Sequence, residues 1–331
     1  MSAGSCSYYS KLWLRNSQFG MRGLTNYSLS CCVNSLLQTL SATWELADIL
    51  EKWATADLKL DGRNVPLQLK KVLAAMRSDL PQPAPHRDFL NCLDRNYIRL
   101  NIQHDADEVF LSILNLLQQQ VNDKDLALEI QNLYKISVET QLQCLECNTV
   151  QTRSTYLVSL PLHIKEDHNS LENCMVSFFE HQELKGANSC FCSRCGTRTP
   201  SRQGVKLHSL PQILCIQLKR FRNTSGSTRK LDCTVTFPET FNFSTFLQDA
   251  FSANFSQGDC RYSLYAVVVH CGCAGSGHYT AYVRNRLSEQ WYYADDSHVQ
   301  QCCWKDVEET YGGRYRATAY MLMYRREGTT T

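Results

Sequence analysis

Two adjacent thiols, those of Cys31 and Cys32, stand directly before a stretch with helical periodicity. In SLSCCVNSLLQTL (28–40) the apolar residues recur at helical spacing, at Val33, Leu36, Leu37 and Leu40. A thiol at a helix N-terminus lies in the positive field of the helix dipole, which lowers its pKa and favours the nucleophilic thiolate. Because free cysteines are most often simply buried, a nucleophile here also requires a base and a group that orients the base.

The sequence offers such a base and such a group near its C-terminal end. His278 lies between a glycine-rich turn and a predicted strand in GSGHYTAYV, and WYYADDSHV supplies Asp295 and Asp296 on a following turn or strand. An antiparallel hairpin over 278–296 brings the histidine beside an aspartate. The three residue types then match the arrangement that cysteine proteases use for nucleophilic catalysis.

A second group of cysteines has the spacing of a zinc site. Two C-x2-C pairs contribute Cys144, Cys147, Cys192 and Cys195. Four thiolates complete a tetrahedron and leave no open position, so we expect one structural zinc ion in a finger over roughly 140–200, and no catalytic cofactor. Gly196 suits the turn that the second pair requires. The alternative is a set of buried cysteines without metal, and the neighbouring Cys190 is a spare thiol.

Composition limits the remaining possibilities. The chain has 331 residues, 43% hydrophobic and 20% charged, with a net charge of +2, so we expect no nucleic-acid partner. No apolar run approaches the roughly 20 residues of a membrane span, and the first residues lack the apolar core of a signal peptide. The 17 cysteines, an odd number, predict free thiols and metal ligands in a reducing compartment, the cytoplasm and also the nucleus.

The order of the predicted elements indicates an α+β protein with segregated layers. Helical stripes dominate the first third, among them Leu69, Val72, Leu73, Met76 and Leu80, then Ala106, Val109, Phe110, Ile113, Leu114 and Leu117. From about residue 135 the period changes to that of strands, first in KISVETQLQ. Further strands are predicted in QILCIQLKRF, LYAVVVH, HYTAYVRN and YMLMYRR.

Several of these stretches together resemble one enzyme family. GLTNYSLSCCVNSLLQTL is similar to GLxNLGNTCYMNSxLQxL, the cysteine box of ubiquitin-specific proteases. In the same order as in that family, QHDADEVFL resembles QQDAxEFL, LPQILCIQLKRF resembles LPxxLxxxLKRF, and GHYTAYVRN with WYYADDSHV resembles the histidine box. AYMLMYRR resembles the closing AYxLFYxR strand, and the paired C-x2-C motifs fall where the family carries its zinc fingers. The resemblance covers about 23–326.

The resemblance implies a papain-like ubiquitin-specific protease fold, which has a helical thumb, a mixed palm and β-rich, zinc-bearing fingers. Mapped onto this sequence, its parts are a short N-terminal extension (1–22), a catalytic domain (23–326) and a C-terminal tail (327–331). Within the catalytic domain we expect the thumb at about 23–134, the fingers at about 135–220, and the palm, with returning finger strands, at about 221–326.

The resemblance also implies a role for each residue of the catalytic group. Cys31 is the nucleophile, because it precedes the x-x-N-S pattern of the box, and His278 is the general base. Asp295 orients the histidine, and Asp296 is an auxiliary polar residue. Asn26 falls on the asparagine that donates to the developing oxyanion, an interaction worth roughly 3–4 kcal/mol when one donor is lost in comparable sites.

Four further residues are implied to bind the substrate. Asp105 and Glu108 stand three apart, which suits both an N-cap with its N3 partner and a pair of carboxylates on one helix face. In the family such carboxylates pair with an arginine in the tail of the modifier, and we favour this role. Gln103 belongs to the same box, and Tyr279 directly follows the predicted base.

Departures from the family pattern indicate a particular branch. Ser28, Leu29 and Ser30 replace Gly, Asn and Thr, and Cys32 and Ala294 replace aromatic residues. Loss of the glycine restricts the backbone beside the nucleophile. The doubled cysteine and the short N-terminus resemble the small, interferon-induced branch of the family. That branch removes an interferon-induced tandem ubiquitin-like modifier (deISGylation) and damps type I interferon signalling at the receptor complex.

The implied partners are therefore a ubiquitin-like modifier with its conjugates, and the interferon receptor with its associated signalling proteins. The implied reaction is thiol-dependent isopeptide cleavage after the C-terminal glycine of the modifier. Three alternatives remain open: a general deubiquitinase, a pseudoenzyme that binds a modifier without cutting it, and a zinc-stabilised interaction scaffold.

Overall fold

The computed structural model describes residues 21–54, 62–78, 80–99, 102–252, 255 and 260–328. The described chain begins with helices, as the periodicity predicts. They are α1 (Cys31–Ala42), α2 (Trp44–Lys52), α3 (Val65–Met76), α4 (Arg87–Arg95), α5 (Ala106–Gln120) and α6 (Lys124–Tyr134). Side-chain caps fix several starts: Asn64 accepts from the amide of Leu67, and Asp123 caps α6 in the same way.

One residue of the predicted helical stripes lies outside the helices. Helix α3 ends at Met76, and Arg77 is its C-cap. Leu80 therefore does not continue the apolar face and is 53% exposed. The prolines that follow at positions 81, 83 and 85 explain this early end, because proline and the residue before it disfavour helical backbone.

Strands dominate the rest of the chain. In the middle part they are β1 (Ile136–Cys144), β2 (Val150–Leu157), β3 (Leu160–His163), β4 (Asn169–Ser170), β5 (Gln182–Leu184), β6 (Cys190–Cys192), β7 (Thr197–Thr199), β8 (Ser201–Ser209), β9 (Ile213–Lys219), β10 (Phe221–Thr224) and β11 (Ser227–Lys230), with helix α7 (Leu171–Phe179) after β4. Further on they are β12 (Val235–Thr236), β13 (Thr240–Asn242), β14 (Arg261–Cys273), β15 (Ser276–Arg284), β16 (Trp291–Asp295), β17 (His298–Cys302) and β18 (Ala317–Arg326), with α8 (Trp304–Glu308) before β18.

Two sheets organise these strands. The larger has the order β17-β16-β15-β14-β18-β9-β3, and β13 pairs with β14 beside this path. The smaller has the order β2-β1-β8-β5, and Cys144 ends its strand β1, whereas Cys192 ends β6, which pairs with β7 in a separate two-stranded sheet. Strands β3 and β9, which fall inside the range expected for the fingers, pair in the larger sheet instead. The chain thus joins the larger sheet at β3, goes back to the smaller sheet, called the finger sheet here, at β5 and β8, and joins the larger sheet again at β9.

The larger sheet is buried on both faces, with β14 near its middle. Ala266 and Val268 lie in the core shared with the helices, whereas Val267 and Val269 lie in a second core on the opposite face. Helix α1 packs against β14 and β15, which places its N-terminus beside the strand that carries His278. The predicted α+β class, with helices first and strands after, is confirmed.

None of the helices in the described part of the chain is long and apolar enough to cross a membrane. Every cysteine in the described ranges is a free thiol. Several of these thiols, among them Cys92, Cys174 and Cys215, are buried.

Candidate active site

The segment before α1 has an unusual backbone. Ser28 and Leu29 both adopt left-handed conformations, with φ of 52° and 61°. Glycine adopts such angles without strain, so the substitutions found in the sequence place side chains where the backbone resists them. Ser30 occupies the N-cap position of α1, but its side chain accepts no hydrogen bond from the first turn of the helix. Its Oγ accepts instead from the amide of Tyr27 at 2.9 Å. The turn ends with Cys31 as the first residue of the helix.

The structure brings the predicted nucleophile, base and orienting acid together. His278 lies on β15 and Asp295 ends β16, and Nε2 of the histidine is 2.6 Å from Oδ1 of the aspartate. The Cys31 thiol lies near enough to the same imidazole to raise its pKa. Since Nε2 faces the carboxylate, Nδ1 is the ring nitrogen left for the sulfur. Interactions with Cys31 and then Asp295 raise the pKa of His278 to about 9, against the opposing effect of burial.

The second thiol of the doubled pair has a different environment. Cys32 is 3% exposed and packs in the core between the helices and the sheet. Burial, followed by the nearby Cys31 and Asp105, raises its pKa well above the ordinary value. Desolvation disfavours a thiolate at this position. The geometry therefore separates the two adjacent cysteines, which the sequence alone leaves as alternatives for the reactive sulfur.

Asn26 and Asp296 lie together beside the nucleophile. Nδ2 of Asn26 donates to Oδ2 of Asp296 at 2.9 Å, and its Oδ1 accepts from Ser30, from the backbone amide at 3.4 Å and from Oγ at 3.3 Å. A side-chain amide has two N–H groups, so one remains for another acceptor. The Asn26 side chain is thus oriented at both ends, with one N–H left for another acceptor.

Two residues to which the sequence analysis assigned no role extend this network. Nδ2 of Asn34 donates to Oδ1 of Asp296 at 2.8 Å, and Oδ1 of Asn34 is 2.8 Å from Nε2 of His86. Asn34 is part of the cysteine box, so the sequence motif could have identified it as a residue of the site. No sequence pattern pointed to His86, because it lies in the loop before α4, 52 residues along the chain from Asn34.

Two of the three acids in the QHDADE stretch, Asp105 and Glu108, differ in their environment: one caps the helix and the other is exposed. Oδ1 of Asp105 accepts from the amides of Asp107 and Glu108, which confirms it as the N-cap of α5. Its Oδ2 accepts from the hydroxyl of Tyr320 at 2.5 Å, so both carboxylate oxygens have partners. The Glu108 side chain is exposed. Of the pair expected to grip an arginine, Glu108 is the accessible one, and the role of both in substrate binding stays a prediction.

Gln103 and Tyr279 lie on either side of His278 in the structure. The amide of Gln103 forms two hydrogen bonds with the backbone of Gly277, one to its oxygen and one from its N–H, both at 3.2 Å. This contact fixes the strand directly before His278. Tyr279 is 6% exposed, and its hydroxyl accepts from the amide of Ala106 at 3.4 Å. The roles of Gln103 and Tyr279 towards a substrate stay predictions.

The four cysteines with zinc spacing converge at the end of the finger sheet. Sulfur to sulfur, Cys144 is 3.9 Å from Cys195, and Cys147 is 3.6 Å from Cys192. The ligand atoms of all four lie within 4.8 Å of one another. Thiolates around a tetrahedral zinc at about 2.3 Å are separated by about 3.8 Å, so this set fits one structural ion.

The two C-x2-C turns have the same construction. The residue after each second cysteine, Asn148 or Gly196, is left-handed, with φ of 60° and 70°. Its amide donates to the carbonyl of the first cysteine, at 3.0 Å in one turn and 2.9 Å in the other. Each turn thus points two thiols in one direction. Cys190 lies outside this group, and its sulfur contacts the carbonyl of Asn188.

An α+β fold that joins a helix N-terminal thiol, an imidazole and a carboxylate is the architecture of a thiol-dependent hydrolase. Comparison with known families agrees: the family model described as ubiquitin carboxyl-terminal hydrolase matches residues 22–324. The chain therefore belongs to the ubiquitin carboxyl-terminal hydrolase family, and it is a thiol-dependent isopeptidase of that family. The resemblance to ubiquitin-specific proteases is confirmed.

Individual relatives cover nearly the whole chain. A mouse protein named Ubl carboxyl-terminal hydrolase 18 is 35% identical over 324 residues, 95% of this chain and 88% of the relative. The human protein of the same name is 33% identical over 317 residues, 92% of this chain and 85% of the relative. Ubiquitin carboxyl-terminal hydrolase 47 of Xenopus laevis is 27% identical and aligns with 98% of this chain, which spans only 30% of that longer relative.

Proposed function

We propose that this isopeptidase uses Cys31 as nucleophile, His278 as general base and acid, and Asp295 as the group that orients the imidazole. The observation that carries the proposal is the 2.6 Å hydrogen bond between Asp295 and His278, together with the thiol at the N-terminus of α1, which is near enough to raise the pKa of the same imidazole. The raised pKa of the imidazole favours an ion pair with a thiolate at neutral pH.

The reaction then has two halves. The Cys31 sulfur attacks the carbonyl carbon of the modifier's C-terminal glycine, and the free N–H of Asn26 donates to the oxyanion that forms. Nδ1 of His278 gives its proton to the departing lysine amine, which leaves a thioester on Cys31. Water attacks this thioester, with the imidazole as base, and releases the modifier with a free carboxylate.

The substrate contacts follow from the exposed groups near this centre. We assign Glu108, with Asp105 behind it, to an arginine in the extended tail of the modifier. Asp105 keeps its capping bonds in this role and contributes negative charge rather than a free oxygen. We keep Gln103 and Tyr279 as substrate-binding residues, as the resemblance implies; Gln103 is exposed beside Gly277, and the largely buried Tyr279 acts from behind His278. The four finger cysteines hold one zinc ion, which stabilises the fingers and takes no part in the chemistry.

For the modifier, we propose the interferon-induced tandem ubiquitin-like protein. The support is the branch resemblance of the sequence and the two relatives, 35% and 33% identical, whose name refers to a Ubl, a ubiquitin-like protein. Ubiquitin is the alternative substrate, supported by the family description and by the relative named ubiquitin carboxyl-terminal hydrolase 47.

Side-by-side kinetics separates these substrates. Ubiquitin and the tandem modifier each carry the same C-terminal amide-linked fluorophore, and kcat/KM is measured for both, with Cys31→Ser as the blank. The proposal expects a kcat/KM at least about a hundredfold higher for the tandem modifier. A preference for ubiquitin would make the protein a general deubiquitinase. Absence of a covalent adduct at Cys31 with every propargyl probe would leave only a binding role.

A second, non-catalytic role follows from the same branch. We propose that the protein damps type I interferon signalling by binding the receptor complex from the cytoplasm. Its location is the cytoplasm and also the nucleus, since both compartments keep thiols reduced. Cells that express Cys31→Ala test this: signalling stays damped while conjugates of the modifier accumulate. If Cys31→Ala leaves conjugate levels unchanged as well, the protein is a scaffold and the catalytic proposal fails.

A further inference from the structure

A carboxylate next to the catalytic group determines how two side-chain amides are oriented. Asp296 can only accept hydrogen bonds, and each of its oxygens receives one, Oδ2 from Asn26 at 2.9 Å and Oδ1 from Asn34 at 2.8 Å. The nitrogen of each amide must therefore face the carboxylate. For Asn34 this leaves the oxygen on the opposite side, where the next side chain is an imidazole.

The orientation of Asn34 also determines which nitrogen of His86 carries the proton. Oδ1 of Asn34 is an acceptor, and Nε2 of His86 lies 2.8 Å from it, so Nε2 must be the donor. Burial lowers the pKa of His86, partly offset by Ala84 and Asp296, which keeps the ring neutral near pH 7. The ring is then the Nε2–H tautomer. Nδ1 then has no proton to donate to the carbonyl of Ala84, 3.3 Å away, so the shorter bond to Asn34 is the one that this tautomer keeps; the ring of Tyr27 packs beside the imidazole.

Burial gives this contact its importance. His86 is 1% exposed and Asn34 is 2% exposed, so water is nearly excluded from the bond between them. Without the imidazole donor the buried oxygen of Asn34 has no partner, and the amide gains by rotating towards another one. Any rotation removes the donor from Oδ1 of Asp296 and frees that carboxylate to shift, together with the Asn26 amide that it holds.

Backbone hydrogen bonds also connect the segment around His86 to Asp296, through residues 23 and 24. The amide of Ala84 donates to the carbonyl of Gly23 at 2.9 Å, and the amide of Leu24 donates to the carbonyl of Asp296 at 2.8 Å. The loop before α4, the segment before Asn26 and the turn after β16 thus form one cluster. A displacement of the imidazole relative to Asp296 is resisted from both sides.

We infer that His86 is a positioning residue for the oxyanion donor: through Asn34 and Asp296 it holds the amide of Asn26 in its working orientation. This inference rests on the proposed function, in which Asn26 donates to the oxyanion. His86 touches neither the substrate nor the reacting atoms. Its effect is expected on kcat, because the contact it supports strengthens in the transition state, and not on KM.

The test compares variants of the full chain on a modifier with a C-terminal fluorophore, with active sites counted by a propargyl probe. His86→Leu keeps the volume and removes the donor, and it is expected to lower kcat per active site about tenfold with KM within about twofold. His86→Gln returns an amide N–H near the position of Nε2 and is expected to restore kcat to within about threefold of the original.

A matched control and a double variant separate positioning from stability. Thr43→Val removes a different buried hydrogen bond of the helical layer, the one between the hydroxyls of Thr43 and Tyr265 at 2.7 Å. This variant is expected to leave kcat per active site unchanged. In an Asn26→Ala background the oxyanion donor is already absent, so adding His86→Leu should change kcat less than about twofold. The same tenfold loss in both backgrounds would overturn the inference, as would an unchanged kcat in His86→Leu alone.

Nitrogen NMR of the histidine rings in the unmodified protein tests the inference without any variant, in case His86→Leu does not fold. The expected result is protonated Nε2 and unprotonated Nδ1 at His86. The reverse tautomer would overturn the inference, because Asn34 would then face the opposite way. If Asn26→Ala alone leaves kcat unchanged, the oxyanion assignment of the proposed function fails, a result distinct from a failure at His86.

Discussion

The finger end and the catalytic centre both depend on thiols, but they assemble them differently. In the fingers, two short turns of identical construction each point two thiols in one direction, and four sulfurs meet. At the catalytic centre one thiol meets an imidazole and a carboxylate from strands more than two hundred residues further along the chain. The residue type is the same, and under the proposed function the neighbours of each sulfur determine whether it binds metal or attacks a carbonyl.

The two adjacent cysteines of α1 show the same dependence over a single residue. Cys31 starts the helix and contacts His278, whereas the next side chain, Cys32, points into the apolar core. Burial raises the pKa of Cys32, whereas Cys31 has an imidazole as its neighbour. Reactivity therefore follows from position relative to His278, and the comparison predicts different outcomes for substitutions that are chemically alike.

The largest effect is expected for Cys31→Ser. Removing the nucleophilic sulfur should lower kcat at least about a thousandfold, because no other group on the described surface takes its place beside His278. The free energy of unfolding should change by less than about 1 kcal/mol, since the substitution is nearly isosteric. Chemical denaturation and a fluorogenic assay measure the two quantities. Retained turnover would show that the wrong thiol was assigned, with Cys32 as the next candidate.

Cys144→Ser should have the opposite pattern. Removing one of four ligands should abolish binding of the single zinc ion and lower the free energy of unfolding by about 3 kcal/mol or more, because metal binding is coupled to folding of the finger end. Elemental analysis and thermal unfolding measure this. Cys190→Ser, a change at the spare thiol, is the matched control and should keep the zinc. Freshly purified protein without zinc would contradict the assignment.

Asn26→Ala tests the donor beside the nucleophile. Loss of one oxyanion contact should lower kcat about a hundredfold to a thousandfold, with the zinc content unchanged. Asn26→Asp keeps the shape of the side chain but removes the donor and adds a charge next to Asp296, so we expect it to be at least as inactive. An active Asn26→Asp would show that the side-chain N–H is not used.

The titration of His278 tests the contact between sulfur and imidazole. Its pKa is raised to about 9, first by the Cys31 thiol, so Cys31→Ala should lower it towards the ordinary value, which NMR of the ring protons measures. The sign follows from linkage. A raised pKa stabilises the folded state fully below the unfolded value of about 6.5, and this contribution is lost as the pH rises through 9. An unchanged pKa in Cys31→Ala would contradict the contact.

The smallest effect is expected at the turn before α1. Ser28 has a left-handed backbone, so Ser28→Gly should stabilise the protein by about 1 kcal/mol by removing the conflict with Cβ. Ser28→Ala keeps Cβ and serves as the control, with no gain expected. Thermal unfolding distinguishes them. Equal stability of both variants would mean that the turn carries no strain from its side chain.

The parts of the molecule that depend on short-range patterns were predicted from the sequence. The helical stripes, the strand alternation and the two C-x2-C turns were all visible, because each is set by residues within a few positions of one another. Leu80 is the exception among the helical stripes: its spacing predicted that it would lie on the helix, but the prolines that follow end the helix before it. The order of the strands in the sheets was not predicted from the sequence, because a pairing such as that of β3 and β9 in the larger sheet depends on contacts between distant strands.

The amino-acid order by itself determined that a thiol would begin a helix, that four thiols would form two turns, and which residue types were available for catalysis. Only the tertiary structure decided that Cys31 and not Cys32 meets the imidazole, that Asp105 is held by its own helix and Tyr320, and that His86 stands behind Asn34. The physical reason is distance along the chain. Hydrogen bonds and desolvation act over a few ångströms in space, and the packing of remote segments determines which groups lie that close together.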